Sequence, residues 1–432
     1  MTSTQLRALT LGILLIIGAA VAACGGGSAA APTPTAPRPP VAVVNPPTAA
    51  APAAKAEATA ASAAEPTKTP KPTKTPEPTP GPPPAPPKKP LTMDTPEYGT
   101  QAFLWWRPEL AERDLLQVKD MGFGWVKQIF GWRDIETAKG KFDWSKTDHI
   151  VYTANRYGGI DLLIRVDHQP DWARKGCSLM GPPENMQDFA DFLTAVATRY
   201  KGRIRAYQIW NEPNLAREWC DQKPSPQQYA QMLKTAYTAI KAADPDAMVI
   251  SAGMSPTGTN DNTAMPDDVF YDELYKAMGG KSDGYFDVLG VHAPGYKAAP
   301  EVSPDEAAAN KAAYGGERFF TFRRVEDLRK IMEKYGDTNK QVAVLEMGWT
   351  SDEVNPSYKW HAVSEEQKAD YLVRAYEYAK KNWSPWIGLM TTIYIADPDW
   401  TDKDEQYWWA ITDPDGTPRP AFNALKAMPK GP

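Results

Sequence analysis

Every aromatic side chain of this 432-residue protein lies beyond residue 92, and they comprise 15 Trp, 19 Tyr and 12 Phe. The first 92 residues are instead rich in Ala, Pro and Thr. Because a folded core needs large apolar side chains, only residues 93–432 are expected to fold. A segment of about 340 residues has room for one large barrel or for two smaller domains.

The N-terminus has the features of an export signal. Arg7 precedes an apolar run from Leu11 to Ala23, which is too short to span a membrane and is typical of a signal peptide. The small residues before Cys24 resemble a bacterial lipoprotein cleavage box. That resemblance implies that residues 1–23 are removed, that Cys24 is lipidated, and that the exported protein is attached to the membrane only through its lipid. The alternative is an ordinary secretory peptide with an incidental Cys.

Residues 24–92 are predicted to be a disordered spacer. Pro-Thr-Lys-Thr-Pro units between Pro66 and Pro76 and a run of prolines from Pro82 to Pro84 favour extended, solvated chain. The segment 25–92 has a net charge of about +4, so residues 93–432 are near −10. No basic cluster is present there, which argues against nucleic-acid binding. We expect a monomer.

Two cysteines remain once Cys24 is set aside, namely Cys177 and Cys220. An even number in an exported protein favours a disulfide, and each of the two follows a predicted strand by a few residues. Two free thiols are the alternative.

Short apolar runs alternate with amphipathic stretches from residue 98 onward. Eight such units predict an α/β fold, a (β/α)8 TIM barrel. An open doubly wound sheet is the alternative, but it would favour a Gly-rich loop after its first strand, and none is present. The predicted strands are Thr100–Trp105, Gly124–Ile129, Asp161–Val166, Ala206–Trp210, Met248–Ser251, Asp287–Val291, Gln341–Leu345 and Ile387–Tyr394. The clearest predicted helices are Asn185–Arg199, Pro226–Ala242, Glu317–Tyr335 and Ser364–Lys381, the last with Ser364 as its N-cap.

Two carboxylates stand where predicted strands end, Glu212 after the fourth and Glu346 after the seventh. The ends of all barrel strands meet at one face, so the two are expected to face each other. Neighbouring Trp residues would desolvate a carboxyl and raise its pKa, while the second carboxylate stays ionised. Such a pair is the equipment for cleaving a glycosidic bond. The alternative is that each Glu forms a structural ion pair, which would contradict the enzymatic interpretation.

The surrounding motifs resemble those of clan A glycoside hydrolases, most closely family 39, with relatives in families 5 and 42. The resemblance is carried by Ile209–Asn214, which reads Ile-Trp-Asn-Glu-Pro-Asn, by Val344–Trp349, and by Gly140–Ser145, Pro170–Ala173 and Gly416–Phe422. It implies a retaining β-glycosidase on a (β/α)8 barrel, with Glu212 as general acid/base and Glu346 as nucleophile. It also implies that Asn211 binds the sugar hydroxyl next to the anomeric centre.

The chain departs from the clan pattern in three places. Lys127 or Gln128 stands where an Arg usually holds the nucleophile, and neither offers a bidentate fork. Tyr296 is displaced from the position directly after His292. Tyr394, with Trp400 beyond it, stands where the eighth strand usually presents a Trp. The predicted substrate-binding residues are Asn211, His292, Tyr296, His168, Trp349, Lys127, Tyr394 and Trp400.

No cofactor or metal is expected. The four His residues have no paired spacing. The acidic loop with Asp397, Asp399, Asp402 and Asp404 lacks the central Gly of a helix-loop-helix calcium site, so a solvated loop is favoured.

The sequence therefore predicts a surface-anchored glycosidase that hydrolyses β-linked polysaccharide or oligosaccharide. Xylan, mixed β-glucan, mannan and glycosaminoglycan-like polymers are all compatible. Two alternatives stay open. One is a glycan-binding lipoprotein on a barrel that has lost its chemistry, and the other is a transglycosylase acting on cell-surface glycan.

Overall fold

The computed structural model describes residues 82–105, 107–177 and 180–430. The predicted signal peptide, Cys24 and most of the predicted spacer lie outside these residues. Contacts with the folded domain begin slightly before residue 93. Lys89 pairs with Asp161, and the carbonyl of Pro90 accepts a hydrogen bond from Arg205.

Eight parallel strands form a barrel, which confirms the predicted fold. Each strand pairs with its neighbours in chain order, the first pairs with the eighth, and a single bridge between Ile250 and Val288 closes the ring. The strands are β1 Glu97–Gln101, β2 Trp125–Gly131, β3 Asp161–Asp167, β4 Ala206–Ile209, β5 Met248–Ser251, β6 Leu289–His292, β7 Val342–Met347 and β8 Ile387–Thr392.

Helices follow the strands and surround the barrel. The main helices are α1 Pro108–Asp120, α2 Ser145–Tyr157, α3 Met186–Arg199, α4 Pro226–Ala243, α5 Asp267–Ala277, α6 Arg324–Lys334, α7 Glu365–Asn382 and α8 Pro420–Ala427. Short helices lie at Trp132–Ile135, Pro304–Ala309, Lys311–Tyr314, Pro356–Lys359 and Glu405–Trp409, with a 3₁₀ turn at Ala216–Glu218 and a small hairpin of Glu136–Ala138 with Lys141–Phe142. None of the helices in the described part of the chain has the length and apolar character needed to cross a bilayer.

Most predicted elements agree with the structure to within two residues, and two of them differ more. The first strand ends at Gln101, because the amide of Leu104 bonds the side chain of Gln128 rather than continuing the ladder. Helix α6 begins only at Arg324, since the Thr321 hydroxyl accepts from the Arg323 amide and ends the preceding turn. The predicted start of α7 is correct, and Ser364 with Gln367 forms a full capping box.

The barrel interior is filled by a compact apolar layer at its N-terminal end. Trp125 and Leu163 belong to this layer. Side chains two residues apart on a strand share a face, so Lys127 and Arg165 point into the same interior one level higher. Charged groups on these two strands therefore enter the barrel just below its C-terminal mouth.

A disulfide joins Cys177 and Cys220, whose Cα atoms are 5.4 Å apart. It links the loop after β3 to the loop after β4. Both loops lie at the end of the barrel where Glu212 is found, so the bridge restrains the wall of the candidate site.

Replacing both cysteines by Ser is expected to lower the free energy of unfolding by about 4 kcal/mol, because the bridge closes a loop with a sequence separation of 43 residues. Thermal denaturation with and without dithiothreitol measures the effect. Reductant should lower the Tm of the natural protein towards that of the double variant and leave the variant unchanged. An equal Tm for both proteins without reductant would contradict this expectation.

Candidate active site

Glu212 and Glu346 meet at the C-terminal mouth of the barrel. His292 lies between them, with Nδ1 3.1 Å from Oε1 of Glu212 and 3.7 Å from Oε2 of Glu346. One oxygen of each carboxylate and a nitrogen of His292 all lie within 4.8 Å of one another. The side chains of both residues are 8% exposed. The predicted pair therefore shares one compartment that opens slightly to solvent.

The backbone after β4 turns sharply to present Glu212. Trp210 has φ of 69° and Glu212 has φ of 42°, both in the left-handed region that is costly for non-glycine residues. The turn is held by the Glu212 amide, which donates to the Gly253 carbonyl, and by the Trp210 indole, which donates to the Glu218 carbonyl. A strained conformation fixed by several bonds is typical of a functional position.

An irregularity in β7 brings Glu346 to the inside of the barrel. Ala343 and Leu345 face the interior layer, so simple alternation would turn Glu346 outward. The pairing with β6 shifts at this point, with Val291 opposite Val344 but His292 opposite Glu346. Such a bulge re-aims a side chain, and here it directs the carboxylate towards the barrel axis.

Three cationic or proton-bearing groups surround Glu346. Lys127 Nζ donates to Oε1 at 2.8 Å, and Arg165 Nη1 lies 3.7 Å from the same oxygen. Burial alone would raise the pKa of Glu346, but His292, Lys127 and Arg165 outweigh it and hold that pKa well below its usual range. Glu346 is therefore ionised at neutral pH. Burial in turn lowers the pKa of Lys127 to about 8, against the opposing effect of Glu346.

Glu212 is held by a different cation. Arg217 Nη2 donates to Oε2 at 2.7 Å, and the Arg217 Nε atom lies 3.7 Å from Oε1 of Glu218. Arg217 and Glu218 both belong to the 3₁₀ turn that follows β4. Each catalytic candidate thus has its own basic partner, Lys127 for Glu346 and Arg217 for Glu212.

These ion pairs were not predicted from the sequence. The two carboxylates were expected to lie beside Trp walls and to be free of structural ion pairs. Trp210 and Trp349 instead pack into the layer between barrel and helices, and both are 0% exposed. The ion pairs are nevertheless compatible with glycoside cleavage. A nucleophilic carboxylate must be ionised, and the side chains of Glu212 and Glu346 both keep some exposure to solvent.

Four predicted substrate-binding residues lie beside the two carboxylates. Lys127 and His292 contact them directly, as described. Asn211 is buried next to Glu212, and its Nδ2 has no hydrogen-bond partner among residues 82–105, 107–177 and 180–430. Tyr394 is buried within electrostatic range of Glu346.

Tyr296 also lies within electrostatic range of Glu212, whereas His168 and Trp400 contact other residues. The ring of Tyr296 packs against Phe320, and its hydroxyl is buried with no hydrogen-bond partner in the part of the chain that is described. His168 bonds the Asp167 carboxylate through Nδ1. Trp400 is half-buried beside Tyr394.

Trp349 does not line the cleft, contrary to the prediction. Its ring packs between Phe322 and Tyr371, and its Nε1 donates to the Ala298 carbonyl. With no exposed surface and a satisfied N–H, it has no face to offer a sugar. It is a packing residue.

Sequence reasoning missed four charged residues of the site. Arg165 and Asp167 form a buried pair, with 2.6 Å between Nε and Oδ2. Their signal was present in the sequence, because two charges at alternate positions of an apolar strand share the face of Leu163. Arg217 and Glu218 gave no such signal, since they lie in an irregular turn.

The cluster of Glu212, His292 and Glu346 has a spacing that would suit a metal ion. However, Lys127, Arg165 and Arg217 already neutralise the same carboxylates, so a divalent cation would have to displace them. In the acidic loop, Asp399 and Asp402 are exposed as predicted. Asp397 is buried instead and accepts a bond from the Asp399 amide.

Two carboxylates that face each other at the C-terminal mouth of a (β/α)8 barrel are the equipment for cleaving a glycosidic bond. Residues 88–390 match the model of the family Cellulase (glycosyl hydrolase family 5). The chain belongs to this family, and the predicted resemblance to clan A glycoside hydrolases is confirmed.

Solved structures with the same fold include members of two families named in the sequence analysis. A family 39 glycoside hydrolase from Bacteroides cellulosilyticus WH2 has a TM-score of 0.57 and 19% identity, with 78% of this chain and 63% of that chain covered. The GH5_18 protein of Streptomyces cattleya, in complex with GlcNAc, has a TM-score of 0.55 and 13% identity, with 79% and 82% covered. A monomeric β-xylosidase from Caulobacter crescentus CB15 has a TM-score of 0.54 and 19% identity, with 79% and 69% covered. No curated protein sequence matches the chain.

Proposed function

We propose that this glycoside hydrolase cleaves β-glycosidic bonds in polysaccharide or oligosaccharide with retention of anomeric configuration. The observation that carries the proposal is the approach of the two carboxylates, with one oxygen of each within 4.8 Å of the other. Retaining enzymes place the two carboxyl groups about 5–5.5 Å apart, whereas inverting enzymes need roughly 6.5–9.5 Å to admit a water molecule.

The charges around the pair support separate roles. Glu346 is kept ionised by Lys127, Arg165 and His292, as a nucleophile requires. In the first step Glu346 attacks the anomeric carbon while Glu212 gives its proton to the leaving oxygen. In the second step Glu212 takes a proton from water, and the resulting attack at the anomeric carbon releases the sugar and restores Glu346.

Asn211 and Lys127 complete the proposed site. The unpaired Nδ2 of Asn211 is a donor for the sugar hydroxyl next to the anomeric centre. Lys127 fills the place of the Arg that clan members usually have, and it holds Glu346 as a point charge rather than as a bidentate fork.

The location of the enzyme is part of the proposal. The apolar run before Cys24 and the small residues around it support export and lipid attachment. The Pro-rich segment would then hold a monomeric catalytic domain away from the membrane.

Incubating the purified protein with xylan, mixed β-glucan, mannan and a glycosaminoglycan is expected to release new reducing ends from at least one of them. Proton NMR at early times should show the β-anomer of the product first. Binding without new reducing ends would indicate a glycan-binding protein, and products longer than the substrate would indicate a transglycosylase. An α-anomer as the first product would contradict retention.

A further inference from the structure

The proposed acid has an electrostatic difficulty in this protein. Glu212 must carry a proton to protonate the leaving oxygen, yet its Oε2 accepts a short bond from Arg217 and its Oε1 lies beside His292. Protonating Glu212 would leave Arg217 without that counter-charge at a site where its side chain is only 18% exposed. A buried cation that loses its partner is costly.

Glu218 is placed to relieve this difficulty. It directly follows Arg217, its carboxyl is fully buried, and its Oε1 is 3.7 Å from Arg217 Nε. Neither of its carboxyl oxygens accepts a hydrogen bond from any residue in the described ranges. Its backbone is anchored, because its carbonyl accepts from the Trp210 indole and Cys220 is tied by the disulfide. A small movement of the guanidinium would therefore exchange Glu212 for Glu218.

The charges facing Glu218 come from the ends of two strands, β3 and β4, and from its own turn. Arg217 and Arg165 are cations, while Glu212 and Asp167 are anions. Burial, with Glu212 and Asp167, raises the pKa of Glu218 to about 8, against the opposing effect of the two guanidinium groups. Glu218 thus holds a proton in the resting protein at neutral pH.

We propose that Glu218 is a positioning residue for the acid/base step: it is the alternative partner of Arg217, so that Glu212 can take up a proton while Arg217 stays paired. The exchange converts ionised Glu212 and protonated Glu218 into protonated Glu212 and ionised Glu218, through protons exchanged with solvent. The number of protons and the net charge of the cluster stay constant. This inference rests on the proposed function, since it explains how the proposed acid becomes protonated.

The Glu218→Gln variant tests the proposal, because Gln copies the shape of the protonated side chain but cannot ionise. The phenol of a phenyl β-glycoside needs a proton from an acid in order to leave, whereas 2,4-dinitrophenol leaves readily as an anion. We expect kcat/KM to fall about 10- to 100-fold for the phenyl substrate and less than about threefold for the dinitrophenyl one. The alkaline limb of the pH profile of kcat/KM for the phenyl substrate should move to lower pH by about one unit or more. The reason is that Gln at position 218 cannot take over the negative charge when Glu212 binds a proton.

Two further variants separate this role from a structural one. Asp114→Asn removes another buried carboxyl that pairs with an adjacent Arg, but outside the cleft, and should change neither the substrate ratio nor the pH limb. When Arg217 is already replaced by Gln, adding Glu218→Gln should not move the alkaline limb of the pH profile further, because the cation that Glu212 and Glu218 share is gone. Equal losses on both substrates with an unmoved limb would overturn the proposal.

A titration independent of activity distinguishes this inference from the proposed function. Carbon-13 NMR of protein labelled at the Glu carboxyl carbons follows the Glu218 signal, which is identified by its loss in Glu218→Gln. In Glu212→Gln its midpoint should move to lower pH by about one unit or more, since the charge of Glu212, which raises the pKa of Glu218, is then gone and no longer competes for Arg217. An unmoved midpoint would refute the exchange. If the natural protein cleaves no glycoside, the proposed function fails while this titration still decides the coupling.

Discussion

Replacing Glu346 by Ala is expected to reduce kcat on aryl β-glycosides by on the order of 10⁵-fold or more, the scale seen when a covalent enzyme loses its nucleophile. The reason is that the bulge in β7 directs this side chain to the barrel axis, and no other carboxylate of the described residues follows β7 into that position. Initial rates with the natural protein and the variant, measured side by side, check the loss. An exposed acidic residue, Glu366 in the first turn of α7, provides the control, and Glu366→Ala should retain full activity.

Azide tests the chemical role of Glu346. In Glu346→Ala the anion can enter the vacated space between Lys127 and Arg165, attack the anomeric carbon and give an α-glycosyl azide. Proton NMR of the product identifies the anomer. Hydrolysis that persists without azide, or a β-azide as the only product, would show that Glu346 is not the nucleophile.

The same variant should be less stable than the natural protein. Removing Glu346 leaves Lys127 and Arg165 without a shared buried counter-charge, which costs roughly 3–5 kcal/mol. Because the pKa of Glu346 is lowered on folding, its ionised form stabilises the natural protein above the ordinary Glu range, and that contribution disappears as the pH falls through its folded value. Thermal denaturation at neutral and acid pH therefore has to accompany the kinetics, to separate a lost nucleophile from a lost fold.

Replacing Glu212 by Ala is expected to lower kcat/KM for phenyl β-glycosides by about 10³- to 10⁴-fold, near the upper range for a general acid. With a 2,4-dinitrophenyl leaving group the first step needs no proton, so the glycosyl-enzyme should form quickly and then accumulate. A burst of dinitrophenol followed by slow turnover is the expected signature. Equal losses for both leaving groups would contradict the acid role.

Azide should again restore turnover in Glu212→Ala, but with the opposite stereochemistry. The proposed nucleophile Glu346 is still present, so azide should replace water in the second step and give a β-glycosyl azide. The two variants are thus each other's controls, since they should yield α and β products from one substrate. The same anomer from both would refute the division of roles between Glu212 and Glu346.

Much of the site follows from local patterns. The apolar runs place Glu212 and Glu346 at strand ends, and parallel strands in a barrel bring those ends together. The alternation of side chains along a strand also explains why Lys127 and Arg165 point into the barrel, although only Lys127 was predicted as a site residue. In contrast, Trp349 follows Glu346 closely in the sequence and yet packs away from the cleft, because its ring is held in the core by Phe322 and Tyr371.

The sequence by itself predicted the (β/α)8 architecture and placed Glu212 and Glu346 at the ends of the fourth and seventh strands, because strand periodicity and a short motif are local properties of the chain. Only the tertiary structure decided which charges surround those acids. The bulge that turns Glu346 inward, the left-handed turn that carries Glu212, and the Arg217–Glu218 pair depend on how distant segments pack. Electrostatic energies depend on distance through space, and residues far apart in the chain set those distances.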